Sequence, residues 1–208
     1  MSTPGRWNRG VCIIAYGERA EREAGECAKS ARASNPGLPV HIRRERPPEA
    51  LVWTDAQQAR WAKVTLPEWT PYDWTLYLDA DTRLFAEIGA VFEMLADGWE
   101  LVICPSSHQA DDLLWHVGDD ERAVTLAEFG CPDVLQLQGG MFTFRQCEPV
   151  CAFFAAWRDE WRRWTGEDQA ALLRAFRRAP VRLHLLGPPF NGGAVVSHRW
   201  GAVREKSK

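Results

Sequence analysis

The sequence predicts an α/β fold, one domain with a mixed, mostly parallel central sheet flanked by helices. Three observations predict it. Apolar runs without polar alternation recur at 10–16, 75–78 and 99–104, as strands buried on both faces of a parallel sheet require. Segments rich in helix formers separate such runs, the alternation that builds layered α/β domains. The connections shorten in the second half, which suits some antiparallel neighbours. At 208 residues the chain is expected to form a single domain over 1–208.

Residues 10–16, Gly-Val-Cys-Ile-Ile-Ala-Tyr, are the first expected strand, broken by Gly17. Residues 18–34 are rich in Ala, Glu, Arg and Lys and predict a helix. Asn35-Pro36-Gly37 stops it, and 38–43 return as a second strand. That makes a β-α-β unit, whose crossover is expected to be right-handed. No Gly-x-Gly-x-x-Gly follows the first strand, so the dinucleotide fingerprint is absent and phosphates must be held another way, such as by a metal. After a charged loop at 44–48, Thr54 is placed to cap a helix reaching residue 66, with Arg60 and Lys63 near one face. A turn at 67–72 leads into the strand at 75–78.

Further on, 89–95 predict a helix, 99–104 a buried strand and 121–129 a helix stopped by Gly130. Residues 134–137 and 141–144 read as two strands flanking Gln138-Gly139-Gly140. A glycine pair there marks a bulge or a close backbone approach to a ligand. Helices follow at 148–164 and 167–178, then a strand at 181–185 and a rigid Gly-Pro loop at 187–193. A last strand at 194–197 delivers His198.

Apolar residues at 46% and charged residues at 25% describe a soluble globular chain, and no apolar run is long enough to span a membrane. Six cysteines show no Cys-x-x-Cys and no zinc-like spacing. Cys12 and Cys104 lie inside apolar runs; with no visible signal peptide, reduced thiols and a cytoplasmic location are expected. The net charge of −3 hides an asymmetry, because 141–208 carry 12 Lys/Arg against 6 Asp/Glu. Trp157, Trp161 and Trp164 with Arg158, Arg162 and Arg163 read as a core face with a basic flank, or as a surface for a membrane or nucleic acid. Overall acidity disfavours a nucleic-acid binder.

The run Trp74-Thr75-Leu76-Tyr77-Leu78 passes straight into Asp79-Ala80-Asp81. Ligands of parallel sheets gather outside the carboxyl ends of the strands. Two carboxylates at i and i+2 point the same way while extended geometry holds, and two hard oxygen ligands suit Mg²⁺ or Mn²⁺. The same pattern also serves as an ordinary turn signal.

Taken in order, the motifs resemble the GT-A-fold nucleotide-sugar glycosyltransferases. They look most like the retaining family 8 group, the glycogenin and lipooligosaccharide galactosyltransferase-like enzymes. Tyr77-Leu78-Asp79-Ala80-Asp81-Thr82 is similar to that family's metal-binding strand end. His198-Arg199-Trp200-Gly201-Ala202-Val203-Arg204 is similar to its His-x-x-Gly-x-x-Lys, with Arg204 in place of Lys and Glu205-Lys206 in place of the following Pro-Trp. Glu167-Asp168-Gln169 is similar to its Asp-Gln at a helix start, and Gly139-Gly140-Met141 is a further echo.

The resemblance implies a glycosyltransferase using a nucleotide-sugar donor, a UDP-sugar first, with Mn²⁺ or Mg²⁺. Asp79, Asp81 and His198 would bind the metal, and Asp79 would also reach the ribose. Ala15 and Tyr16 would meet the nucleotide base, Lys63 the donor, and Gly139 and Gly140 would line its site. Arg204 would contact the pyrophosphate, where an arginine fork suits phosphate oxygens. Asp168 and Gln169 would stand beside the anomeric carbon, as nucleophile or as stabiliser of an oxocarbenium-like centre. Asp168 has a second reading as the last member of a capping box opened by Thr165. The acceptor is expected to be a glycan or small molecule. Glycosylation of modified, phage-type DNA, a haloacid-dehalogenase-type phosphatase using Asp79 and Asp81, and a non-catalytic sugar-nucleotide-binding domain remain as alternatives.

Overall fold

The computed structural model describes residues 8–107, 113–130 and 134–199. Its strands are β1 Arg9–Ile14, β2 Val40–Arg43, β3 Trp74–Leu78, β4 Thr82–Leu84, β5 Leu101–Pro105, β6 Leu137–Arg145, β7 Leu183–Leu185 and β8 Val196–His198. Its helices are α1 Glu18–Ser34, α2 Asp55–Val64, α3 Leu66–Trp69, α4 Gly89–Ala96, α5 Asp119–Phe129, α6 Glu148–Arg162 and α7 Asp168–Arg178. Six strands form a sheet in the order β2-β1-β3-β6-β5-β7, and β4 pairs with β8 in a separate two-stranded sheet. Strand β6 runs antiparallel to both β3 and β5, while the β1–β2, β1–β3 and β5–β7 pairs are parallel. The expected mixed, mostly parallel sheet is the one observed. Among the described residues, no helix is long and apolar enough to cross a membrane.

Both faces of the central strands are covered. Cys12, Ile14 and Tyr77 join a core with Trp61, Phe153, Trp157 and Trp161 of α2 and α6. Val11, Ile13, Leu76 and Leu78 join a second core with Ala24 and Cys27 of α1 and Val91 and Phe92 of α4. Burial on two sides is why these strands show no polar alternation. Trp157 and Trp161 are fully buried in the core, while Trp164 at the end of the stripe is partly exposed. Arg158 and Arg163 on its flank pair with Glu68 and Glu160.

Helix α1 has the expected bounds, and α2 starts at the expected cap. The Thr54 hydroxyl accepts from the Gln57 N–H and the Gln57 side chain accepts from the Thr54 N–H, closing a capping box. Three local expectations are corrected. Helix α2 ends at Val64 instead of reaching 66, and residues 67–69, expected in a turn, join Leu66 in the short helix α3, with Pro67 in its first turn where a missing N–H is harmless. The two strands expected around 138–140 are one strand, β6. Its pairing with β5 jumps from Ile103–Phe142 to Cys104–Gln138, so 139–141 bulge out of that ladder. Thr165 does not cap α7; it sits at φ 54°, its hydroxyl donates to the Trp164 carbonyl, and the cap position falls to Glu167. The capping-box reading of Asp168 therefore fails.

Candidate metal and donor site

Strand β3 ends at Leu78, and residues 79–81 form a tight turn into β4. The Thr82 N–H and Thr82 hydroxyl both donate to the Asp79 carbonyl, at 3.1 and 2.8 Å. Asp79 and Asp81 thus share a side through this turn, where extended alternation was expected to align them. Strand β8 then lies against β4 with His198 opposite Thr82. The Arg199 N–H donates to the Asp81 carbonyl at 2.8 Å, tying the end of β8 to the same turn. His198 Nε2 stands 3.1 Å from Asp81 Oδ1 and 4.0 Å from Asp79 Oδ2. One ligand atom from each of Asp79, Asp81 and His198 lies within 4.8 Å of the others.

This donor set fits a hard divalent cation, with two carboxylates and one imidazole. The fit is tested by the backbone beside it. The Asp79 N–H donates to the Gly140 carbonyl at 2.8 Å, bringing β6 against the cluster. A Cβ on Gly140 would lie 2.4 Å from His198 Cε1 and 3.1 Å from Asp79 Oδ2. Only glycine leaves the imidazole and the carboxylate in place. Burial pushes the Asp81 carboxyl up, but the hydrogen bond and charge of His198 outweigh it and hold Asp81 below the usual carboxylate range.

A second cluster adjoins the first. Lys63, buried at the end of α2, places Nζ 3.0 Å from Asp79 Oδ1 and 3.0 Å from Asp168 Oδ2. The Tyr77 hydroxyl donates to Asp79 Oδ1 at 2.7 Å. Burial opposes charge on Lys63, yet Asp168 and Asp79 hold its ammonium above the ordinary lysine value. Burial likewise opposes charge on Asp168, and Lys63 and Arg60 hold its carboxyl below the ordinary value. The Lys63 ammonium, 3.0 Å away, is the partner of this buried Asp168 oxygen. A Cβ on Gly139 would lie 3.4 Å from the same oxygen. The result is a buried carboxylate paired with Lys63, beside the two glycines of the β6 bulge.

The structure brings Lys63, Asp79, Asp81, Gly139, Gly140, Asp168 and His198 together. Gln169 lies next to them, but its amide is tied to β6, donating to the Leu137 carbonyl and to Gln138 Oε1. Ala15 and Tyr16 follow β1 at the same edge of the sheet; the Tyr16 hydroxyl donates to the Glu45 carbonyl at 3.0 Å and Arg46 lies over its ring. Arg60 pairs with Glu167 at 2.7 Å. Arg204 lies outside the described residues. Sequence reasoning missed Tyr77 as a donor to Asp79. Its place two residues before the carboxylate, on the α2 side of β3, was the available signal.

No family model matches the chain, and no curated protein matches it. Solved structures do. The apo structure of the WbbM bifunctional glycosyltransferase superposes with a TM-score of 0.62 and 14% identity, over 93% of this chain and 42% of that one. A glycosyltransferase involved in the glycosylation of the major capsid of PBCV-1 gives 0.56 and 12%, over 92% and 95%. Galactosyltransferase LgtC, solved with donor and acceptor sugar analogs, gives 0.52 and 13%, over 88% and 74%. This chain spans less than half of the WbbM chain. Its fold is that of the GT-A glycosyltransferases.

Proposed function

We propose that this GT-A chain is a metal-dependent glycosyltransferase, moving a sugar from a nucleotide sugar, a UDP-sugar first, to an acceptor hydroxyl. The observation that carries the proposal is the junction of two clusters: Asp79, Asp81 and His198 within 4.8 Å, and the buried Lys63–Asp168 pair sharing Asp79 with them. Asp79, Asp81 and His198 would hold Mn²⁺ or Mg²⁺, which when bound would supply positive charge against a departing nucleoside diphosphate. Burial raises the Asp168 carboxyl, and Lys63 with Arg60 more than offsets it. Asp168 would then stand as a carboxylate suited to positive charge at an anomeric carbon, as stabiliser or as nucleophile. Gly139 and Gly140 leave room beside that carboxylate and the imidazole. Gln169 steadies the bulge from α7.

Ala15 and Tyr16 are assigned to the nucleotide base, and Arg204 to the leaving diphosphate. Retention of configuration follows the sequence resemblance to family 8. The acceptor is a glycan or small molecule. The nucleic-acid reading is weakened by Trp157 and Trp161, whose faces are spent in the core. The phosphatase reading leaves unused an imidazole that touches Asp81.

A thermal-shift screen of nucleotide sugars with and without Mn²⁺ tests the proposal. Metal-dependent stabilisation by a UDP-sugar, lost in Asp81→Asn, is the expected result. Stabilisation that ignores Mn²⁺, or survives that substitution, overturns it.

A further inference from the structure

Helix α1 carries a second stripe besides its apolar one. Glu23, Cys27, Ser30 and Ser34 follow helical spacing along one side, and each engages the β4 segment. Cys27 Sγ lies 3.3 Å from the Thr82 hydroxyl, the group that donates to the Asp79 carbonyl. The Ser30 hydroxyl accepts from the Leu84 N–H, and the Ser34 hydroxyl donates to the Leu84 carbonyl. Glu23 stands at the end nearest the carboxylates and does more than its neighbours. Its Oε2 pairs with Arg83 Nη2 at 2.5 Å and with Arg199 Nη1 at 3.2 Å.

Those two arginines sit on the two segments that frame the cluster, Arg83 within β4 and Arg199 just after β8. Arg83 Nη1 also reaches the carbonyls of Ala80 and Thr82, at 3.3 and 2.7 Å, so it braces the turn that carries Asp79 and Asp81. Arg199 is the residue after His198, and its N–H holds the Asp81 carbonyl. Glu23 itself is half-buried, with 18% of its side chain exposed, and touches none of the three cluster side chains.

We infer that Glu23 is a positioning residue for the metal cluster: one carboxylate on α1 clamps the Asp79–Asp81 turn and the His198 strand end against each other. This rests on the reading of Asp79, Asp81 and His198 as a metal centre. Partners outside the ligand set that orient ligands change metal affinity by about 10–100-fold when removed. Strands β4 and β8 are joined by three residue pairs in register, and the Glu23 clamp adds a side-chain tie across the same two strands at the end that carries His198.

The test is the Mn²⁺ affinity of the purified chain without donor, read by electron paramagnetic resonance of free Mn²⁺, with circular dichroism as the fold control. Wild type, Asp81→Asn, Glu23→Gln, Glu23→Asp and Arg199→Ala are compared. Glu23→Gln keeps the side-chain shape, and Arg199 is mostly exposed, so both variants are expected to fold. The expected losses of affinity are about tenfold for Glu23→Gln and about threefold for Arg199→Ala, the size of an exposed ion pair. Glu23→Asp recovers part of the loss.

The sign for Arg199→Ala separates clamping from bulk charge. A through-space effect predicts tighter Mn²⁺ binding once a nearby cation is gone, whereas a lost clamp predicts weaker binding. Unchanged affinity in Glu23→Gln, or tighter binding in Arg199→Ala, overturns the inference while the metal centre stands. A wild type that binds no Mn²⁺, or an Asp81→Asn chain that binds it equally, removes the metal centre and the inference together.

Discussion

The Gly140 backbone passes so close to His198 that a Cβ at that position would lie 2.4 Å from the imidazole Cε1. The atom it would meet belongs to a ring whose neighbouring Nε2 is held by Asp81, at 3.1 Å. Gly140→Ala must therefore move either β6 or the ring. Overpacking of this kind costs about 1–3 kcal/mol. The expected outcome is a modestly lowered melting temperature and loss of Mn²⁺-dependent stabilisation by nucleotide sugar. Thermal shift reads both; an alanine variant that keeps the full Mn²⁺ effect contradicts the proposed ligand geometry.

Lys63 is buried between two carboxylates, and its removal has a pH signature. In the native chain the Asp168 carboxyl is held below its ordinary value, so its ion pair contributes stability above pH about 4 and loses it as pH falls through the depressed value. In Lys63→Met the charge partner is gone and burial raises the Asp168 carboxyl instead. The sign reverses, because the variant then loses stability as pH rises through that raised value. Uncompensated burial of a charge costs about 3–5 kcal/mol. Urea unfolding at pH 7 should show a deficit of that order, narrowing as the pH is lowered towards 4. A deficit constant with pH would mean that Lys63 acts through packing alone.

Asp168→Asn preserves shape and removes the charge that faces Gly139. If Asp168 stabilises or attacks the anomeric centre, turnover falls by about 10²–10³-fold. The Mn²⁺ dependence of donor binding should persist, since Asp79, Asp81 and His198 are untouched. Donor hydrolysis and calorimetric donor binding on the same sample separate the two effects. Full turnover in this variant would return Asp168 to a structural role.

Arg174 is a contrasting buried charge, remote in function. It pairs with Glu160 and Glu121 at 2.8 Å each and donates to the Thr125 hydroxyl, joining α5, α6 and α7. Burial pushes the Glu121 carboxyl up even with Arg174 beside it. Arg174→Leu leaves two buried carboxylates short of a partner and should cost about 3–5 kcal/mol in urea unfolding at pH 7. Mn²⁺ affinity in the folded chain should stay at the wild-type value. A change in that affinity would show that the α5–α7 network reaches the metal cluster.

Much of this was legible from the residues in order. Unbroken apolar runs marked the strands because burial on two faces leaves no polar alternation to read. Thr54 and Gln57 marked a helix start through a bond spanning three residues. Asp79 and Asp81 were legible as carboxylates at an expected strand end that suit a hard cation, and His198 joined them as a candidate through the family resemblance. The errors were local as well. A glycine pair signals irregular backbone, but only pairing with β5 shows whether a strand ends there or bulges. Thr165 looked like a cap because of its neighbours, yet its backbone entered the left-handed region.

By itself the sequence determined the layered α/β architecture, the bounds of α1 and the Asp79–Asp81 pair as cation-ligand candidates, which follow from periodicity, composition and side-chain type, while His198 entered through the order of motifs that carries the family resemblance. Only the tertiary structure decided that Asp79 and Asp81 converge through a turn, that Lys63 joins Asp79 to Asp168, that Gly140 lies under His198, and that Glu23 pairs with both Arg83 and Arg199. Those relationships hold between residues far apart in the chain, 117 positions in the case of Asp81 and His198. Their distances are set by how sheet and helices pack as whole bodies, and no local pattern carries that information.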